Sequence, residues 1–212
     1  MLIVNSGNTR MAAFNPATLT FTQFTPPNKQ DAHDEEGWNI LPNGKVLTVD
    51  ATIMNRFELY DPVANSWTNG TTAGITIADI GGNCNSAEVG PAVLRPDGTV
   101  IQFSGAPSGQ NAVYNWLTNT WSHPANVDFP MIGGKQYTVA DGPASLLPDG
   151  HVLVQASVAC EDTGDVDDDG NPIFSPFRTP SHYFEWDGTN LTQVVDAANA
   201  GVMKACQSVM ML

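Results

Sequence analysis

The chain is expected to be all-β, a propeller of four-stranded antiparallel blades, and three features of the sequence lead there. A Pro-x-Gly turn recurs at Leu41-Pro42-Asn43-Gly44, Arg95-Pro96-Asp97-Gly98 and Leu147-Pro148-Asp149-Gly150, with the prolines 54 and 52 residues apart. Each turn is followed by a nearly apolar run, KVLTV, TVIQF or HVLVQ. Such runs have no polar side to show water, so they suit strands covered on both faces. Finally, aromatic pairs recur at a spacing of seven: Phe14 with Phe21, Tyr60 with Trp67, Tyr114 with Trp121.

The elements follow in order. Residues 1–25 read as a partial blade that begins with its second strand. Residues 34–69, 87–124 and 139–195 read as complete blades, the last carrying an acidic insertion at 160–180, and 201–212 as the first strand of a further blade. All belong to one propeller domain of 212 residues. The whole is read as a fragment of a larger propeller, with closure of a four-bladed ring as the alternative. Proline presets the first central φ of each turn, and glycine accepts the left-handed conformation that the following bulge needs. Between the aromatic partners, Asn15-Pro16, Asp61-Pro62 and Asn115-Trp116 open turns by bonding their own backbone. In the last blade either Phe184 pairs with Leu191, or Trp186-Asp187-Gly188 matches Tyr60-Asp61-Pro62 with a shorter turn; the second is preferred. Tyr60, Trp67, Tyr114 and Trp121 are expected to pack their rings between blades. Gly90 and Gly142 are expected on the innermost strands, where little room is left for side chains.

These units resemble kelch repeats, best at Glu58-Leu59-Tyr60-Asp61-Pro62 with Trp67, and the chain resembles the kelch-type propeller of the galactose oxidase central domain superfamily. The glycine pair that usually ends the second kelch strand is replaced by Asp50-Ala51, Ser104-Gly105 and Ala156-Ser157. The resemblance implies a copper-radical centre built from a cysteine cross-linked to tyrosine, a second tyrosine and two histidines. His33, His123, His151 and His182 are scattered, and Cys84 lies too early for the family's cysteine position, so copper is not expected.

Eight Lys and Arg against 22 Asp and Glu give a formal charge of −14, which excludes nucleic acid as a partner and favours cations over anions. No apolar run approaches membrane-spanning length, and no membrane insertion is expected. Residues 1–4 lack the basic flank of a targeting signal. One pair among Cys84, Cys160 and Cys206 can bridge in an oxidising compartment, and an extracellular or periplasmic location is expected. No phosphate loop, His-Glu-x-x-His or nucleophile elbow is present.

Two acidic groups are candidate sites. Glu36 (or its neighbour Glu35), Glu88 and Asp141 each precede an innermost strand and can ring one mouth of the central channel, where they concentrate cations or bind sugar hydroxyls; His33 can join them. Asp165, Asp167 and Asp169 alternate before Gly170 in the manner of a Ca²⁺ loop, and Ca²⁺ is the cofactor they suggest. The functional reading is a non-catalytic module recognising a protein or a carbohydrate, with missing blades or neighbouring domains of a longer chain as further partners. The alternatives are a galactose-oxidase-like oxidoreductase or glycan-processing enzyme whose site residues lie outside this chain, and a purely structural, calcium-stabilised role.

Overall fold

A computed structural model describes residues 2–4 and 7–207, with side chains from residue 7 onward. Four antiparallel sheets follow one another along the chain. The first has the order β1 (Leu2–Val4), β2 (Met11–Asn15), β3 (Thr20–Phe24). The second is the meander β4 (Asn39–Ile40), β5 (Val46–Val49), β6 (Arg56–Asp61), β7 (Ser66–Thr71). The third repeats it as β8 (Ala92–Leu94), β9 (Thr99–Gln102), β10 (Ala112–Asn115), β11 (Thr120–Ser122).

In the fourth, β12 (Tyr137–Thr138) and β13 (Ala144–Leu146) both pair with one edge of β14 (Val152–Val158). The acidic insertion forms its own hairpin, β15 (Glu161–Val166) with β16 (Pro172–Ser175), before β17 (Arg178–Trp186) and β18 (Leu191–Gln193) complete the sheet. Two single 3-10 turns, Ala200–Val202 and Ala205–Gln207, occupy the described part of the segment read as a further strand. Its remainder, 208–212, lies outside the described residues. No helix among the described residues is long and apolar enough to cross a membrane.

The turns form by local chemistry. At each Pro-x-Gly site the glycine takes φ of +81°, +85° or +88° and donates to the residue before the proline: Gly44 N to Leu41 O, Gly98 N to Arg95 O, Gly150 N to Leu147 O. Asn43, Asp97 and Asp149 accept from the backbone N–H two residues on, at 3.1, 2.9 and 3.1 Å, closing an Asx turn inside each hairpin. The outer turns work alike: Asp61 Oδ1 accepts from Val63 and Ala64, and Asn115 Oδ1 from Leu117 and Thr118.

Tyr60 Oη then bonds Asn65 at 3.0 Å and Tyr114 Oη bonds Asn119 at 2.9 Å, each asparagine being in the left-handed region. The aromatic pairs face each other across strands, and the fourth pair is Trp186 with Leu191, the shorter-turn alternative.

The core lies between sheets. Phe57 of β6 reaches the third sheet, 5.6 Å from the rings of both Tyr114 and Trp121. Ile101, Phe103 and Phe129 pack similarly against Val152, Val154 and Phe184 of the fourth. Met11 and Phe24 of the first sheet meet Val46, Tyr60 and Trp67 of the second. Val46–Val49 are buried on both faces, as their unbroken apolar pattern requires. The first strands β4, β8 and β13 approach one another, and Asn39 Nδ2 donates to Ala92 O at 3.1 Å.

Gly90 and Gly142 lie just before β8 and β13. A Cβ at Gly90 would stand 2.6 Å from Phe103 O, and one at Gly142 2.4 Å from Val139 Cγ1. Close strand approach therefore leaves no room for a side chain at either position.

Candidate acidic site at the inner strands

Each first strand is preceded by an acidic residue, and the chain brings three of these together. Glu35, Glu88 and Asp141 each offer a carboxylate oxygen within 4.8 Å of the other two. They enter from the second, third and fourth sheets in turn. Glu88 is positioned from its backbone: its carbonyl accepts from Asp79 N at 2.9 Å, and Ala87 N donates to Asp79 O at 3.0 Å. Asp79 Oδ2 accepts from Ser86 N and Oγ, while its Oδ1 is buried without a partner. Asp141 takes φ +52° and Ala87 φ +61°, so the chain turns sharply as it arrives at the site on two of the three sides.

The three carboxylates differ in environment. Glu88 is buried and its Oε2 has no partner, whereas Glu35 and Asp141 are exposed. Burial, then the charges of Asp141 and Glu35, push the Glu88 carboxyl up to about 8. Burial and the charges of Asp141 and Asp34 also raise Glu35. Such a group holds a proton near neutrality, accepts hydrogen bonds from hydroxyl donors, or binds a hard cation.

Of the residues expected at this mouth, Glu88 and Asp141 meet there and Glu36 does not. Glu35 takes its place, because neighbouring side chains leave the backbone in different directions. Glu36 turns into a buried network instead, where its Oε1 pairs with His33 Nδ1 at 2.6 Å and accepts from Trp38 Nε1 at 3.3 Å. His33 is thereby committed to that network too. Trp38 packs edge-on against Trp67 with ring centroids 6.0 Å apart.

The alternating acids of the insertion do not converge. Asp167 Oδ1 accepts from Asp169 N, Asn171 N and Asn171 Nδ2, and these bonds, led by that from Asn171 N, hold its carboxyl below the usual range. Asp167 is thus the capping residue of the β15–β16 turn, with Gly170 at φ +85°. Asp165 belongs to β15, and the three carboxylates form no common cage.

Sequence reasoning missed a second convergent group, Asp31, Asp50 and Glu58, all buried. Its one legible signal is an acid, Asp50, placed directly after the apolar run of β5. The disulfide joins Cys84 to Cys160, leaving Cys206 as the free thiol among the described residues.

Each histidine faces a carboxylate: His33 with Glu36, His123 with Asp128, His151 with Glu185, and His182 with Asp196. The groups that do converge among the described residues contain only carboxylates.

No protein-family model and no curated protein matches the sequence. Among solved structures, the chain is similar to a fungal alcohol oxidase of the AA5 family in complex with copper, with a TM-score of 0.52 and 12% identity. The match covers 93% of this chain and 51% of that one, so the chain spans about half the length of its structural relative. At that identity the likeness shows the fold alone, an all-β propeller-type architecture, without distinguishing kelch repeats.

Proposed function

We propose that the chain is a binding module, built on kelch-like units, that recognises a carbohydrate at the acidic mouth formed by Glu35, Glu88 and Asp141. The carrying observation is the convergence of three carboxylates from three successive sheets, one of them with a buried, unpartnered oxygen. Sugar hydroxyls both donate and accept, so they can pair with carboxylate oxygens and with the proton held on Glu88, and a partly buried set of this kind gives orientation and selectivity. The disulfide is consistent with an extracellular or periplasmic setting, where such ligands are met.

A screen of immobilised glycans, followed by calorimetry on the hits, tests the reading. Glu88→Gln and Asp141→Asn are each expected to weaken binding at least tenfold. Failure to bind any polyhydroxyl ligand, or binding that survives both substitutions, rejects it.

A second reading, an oxidoreductase completed by residues outside this chain, is favoured by one observation: the structural relative is an alcohol oxidase in complex with copper. Copper quantification after loading, with oxidation of primary alcohols and aldehydes as the readout, separates it from the first. Stoichiometric copper with turnover supports the enzyme; neither supports the binding module.

A further inference from the structure

The buried group beneath the second sheet is a different kind of site. Lys29 and Asp31 come from the linker preceding that sheet, Asp50 directly follows β5, and Glu58 lies in β6. The Lys29 ammonium pairs with Asp31 Oδ1 and Glu58 Oε2, lies 3.4 Å from Glu36 Oε2, and sits 5.1 Å from the centre of the Trp67 ring. Burial works against that ammonium, yet Glu36, Asp31 and Glu58 hold its pKa above the ordinary lysine value. The remaining oxygens of two of these acids are also engaged. Glu58 Oε1 accepts from Gln30 N at 2.6 Å, and Asp31 Oδ2 accepts from Ala51 N at 3.2 Å.

Asp50 is the exception. It is 1% exposed, and neither carboxylate oxygen has a partner, although one lies within 4.8 Å of oxygens of both Asp31 and Glu58. Buried carboxylates are almost always hydrogen-bonded or paired, because desolvating an unpaired one is costly. Four carboxylates, Asp31, Glu36, Asp50 and Glu58, gather around one ammonium. The further cationic candidates are engaged elsewhere: His33 Nδ1 is bonded to Glu36, and Arg56 turns its Nη2 to Gln30 Oε1 at 3.2 Å. Carboxylate oxygens therefore outnumber the donors that face them, and one of the two unpartnered Asp50 oxygens lies on the side of Asp31 and Glu58.

We propose that Asp31, Asp50 and Glu58 bind one Ca²⁺ that clamps the linker carrying Lys29 and Asp31 to the β5–β6 hairpin. The donor set is all oxygen, which selects a hard cation over copper or zinc. A Ca²⁺ shell at 2.3–2.6 Å places ligand atoms up to ~5 Å apart, which accommodates these three. Each engaged oxygen of Asp31 and Glu58 keeps a second lone pair for the metal, and water fills the remaining positions. This site is separate from the mouth at Glu88 and from the insertion turn at Asp167.

Calorimetric titration of the EDTA-stripped chain with CaCl₂, paired with thermal melting with and without 1 mM Ca²⁺, is the test. One saturable site and a raised Tm are expected for the native chain, for Glu88→Gln and for Asp167→Ala. Asp50→Asn keeps the shape but removes the carboxylate that would ligate the ion. It is expected to melt in EDTA no lower than the native chain, to weaken binding at least tenfold and to lose the Ca²⁺-induced rise in Tm. Should Asp50→Asn fail to fold, Glu58→Gln reports the same loss of affinity. No binding heat at millimolar Ca²⁺, or native affinity retained in the Asp50 and Glu58 variants, overturns the proposal. Binding abolished by Glu88→Gln or Asp167→Ala instead overturns it equally.

Discussion

Gly105→Ala is expected to be among the most damaging single-methyl additions in this chain. Gly105 passes directly over the backbone that carries Glu88. A Cβ there would stand 2.3 Å from Glu88 O, 2.7 Å from Glu88 C and 3.2 Å from Glu88 Cβ. The obstacle is backbone, so no side-chain rotation relieves it, and one strand must move by about 1 Å to restore ordinary contact. Both are pinned: Gly105 N and Ala106 N donate to Ile77 O at 2.9 and 3.0 Å, and Asp79 N donates to Glu88 O at 2.9 Å. Moving either weakens two or three bonds worth about 1 kcal/mol each, which agrees with the ~1–3 kcal/mol typical of overpacking. At ~2–4 °C per kcal/mol for a chain of this size, a cost near 3 kcal/mol lowers Tm by about 6–12 °C. Gly37→Ala is the control, since a Cβ there meets nothing within 4 Å. Calorimetric melting of both variants decides the matter. If Gly105→Ala melts within a degree or two of the native chain, the close packing of these two segments is wrong.

Three further outcomes are expected. Replacing Cys84 and Cys160 by serine opens a link spanning 76 residues, worth about 4.5 kcal/mol in the chain-entropy account, and chemical denaturation in urea should show a corresponding loss. Trp67→Ala empties a site 1% exposed that is stacked against Tyr60, Trp38 and His33, at a cost of about 3–5 kcal/mol measurable by the same method. Glu88 carries a carboxyl raised from 4.5 to about 8, so the folded chain holds a proton that the unfolded chain releases at lower pH. Its stabilising effect is complete below about 4.5 and is lost as pH rises toward 8. Glu88→Gln should flatten that decline in a series of melts across the interval, and an unchanged slope would count against the assigned environment.

What the sequence determined by itself is the local half of this protein. The Pro-x-Gly turns, the Asx turns at Asp61 and Asn115 and the aromatic partners seven apart are set by residues within one hairpin, where proline's φ, a left-handed glycine and a carboxylate two residues from an N–H act without outside help. Glu88 and Asp141 were legible because the repeat places them before equivalent strands.

Only the tertiary structure decided the rest. Glu35 rather than Glu36 meets Glu88 and Asp141 because adjacent side chains diverge, and a frame of one residue is below what repeat alignment resolves. The run from Asp165 to Asp169 has the spacing of an ion loop, and the structure adds that Asn171 supplies Asp167 with the hydrogen bonds of a hairpin turn. The pairing of Cys84 with Cys160, and the meeting of Asp31 with Asp50 and Glu58, join segments distant in sequence. Those meetings depend on how sheets stack and how linkers cross between them, and that geometry is fixed by the summed packing of apolar faces rather than by any residue's own neighbours.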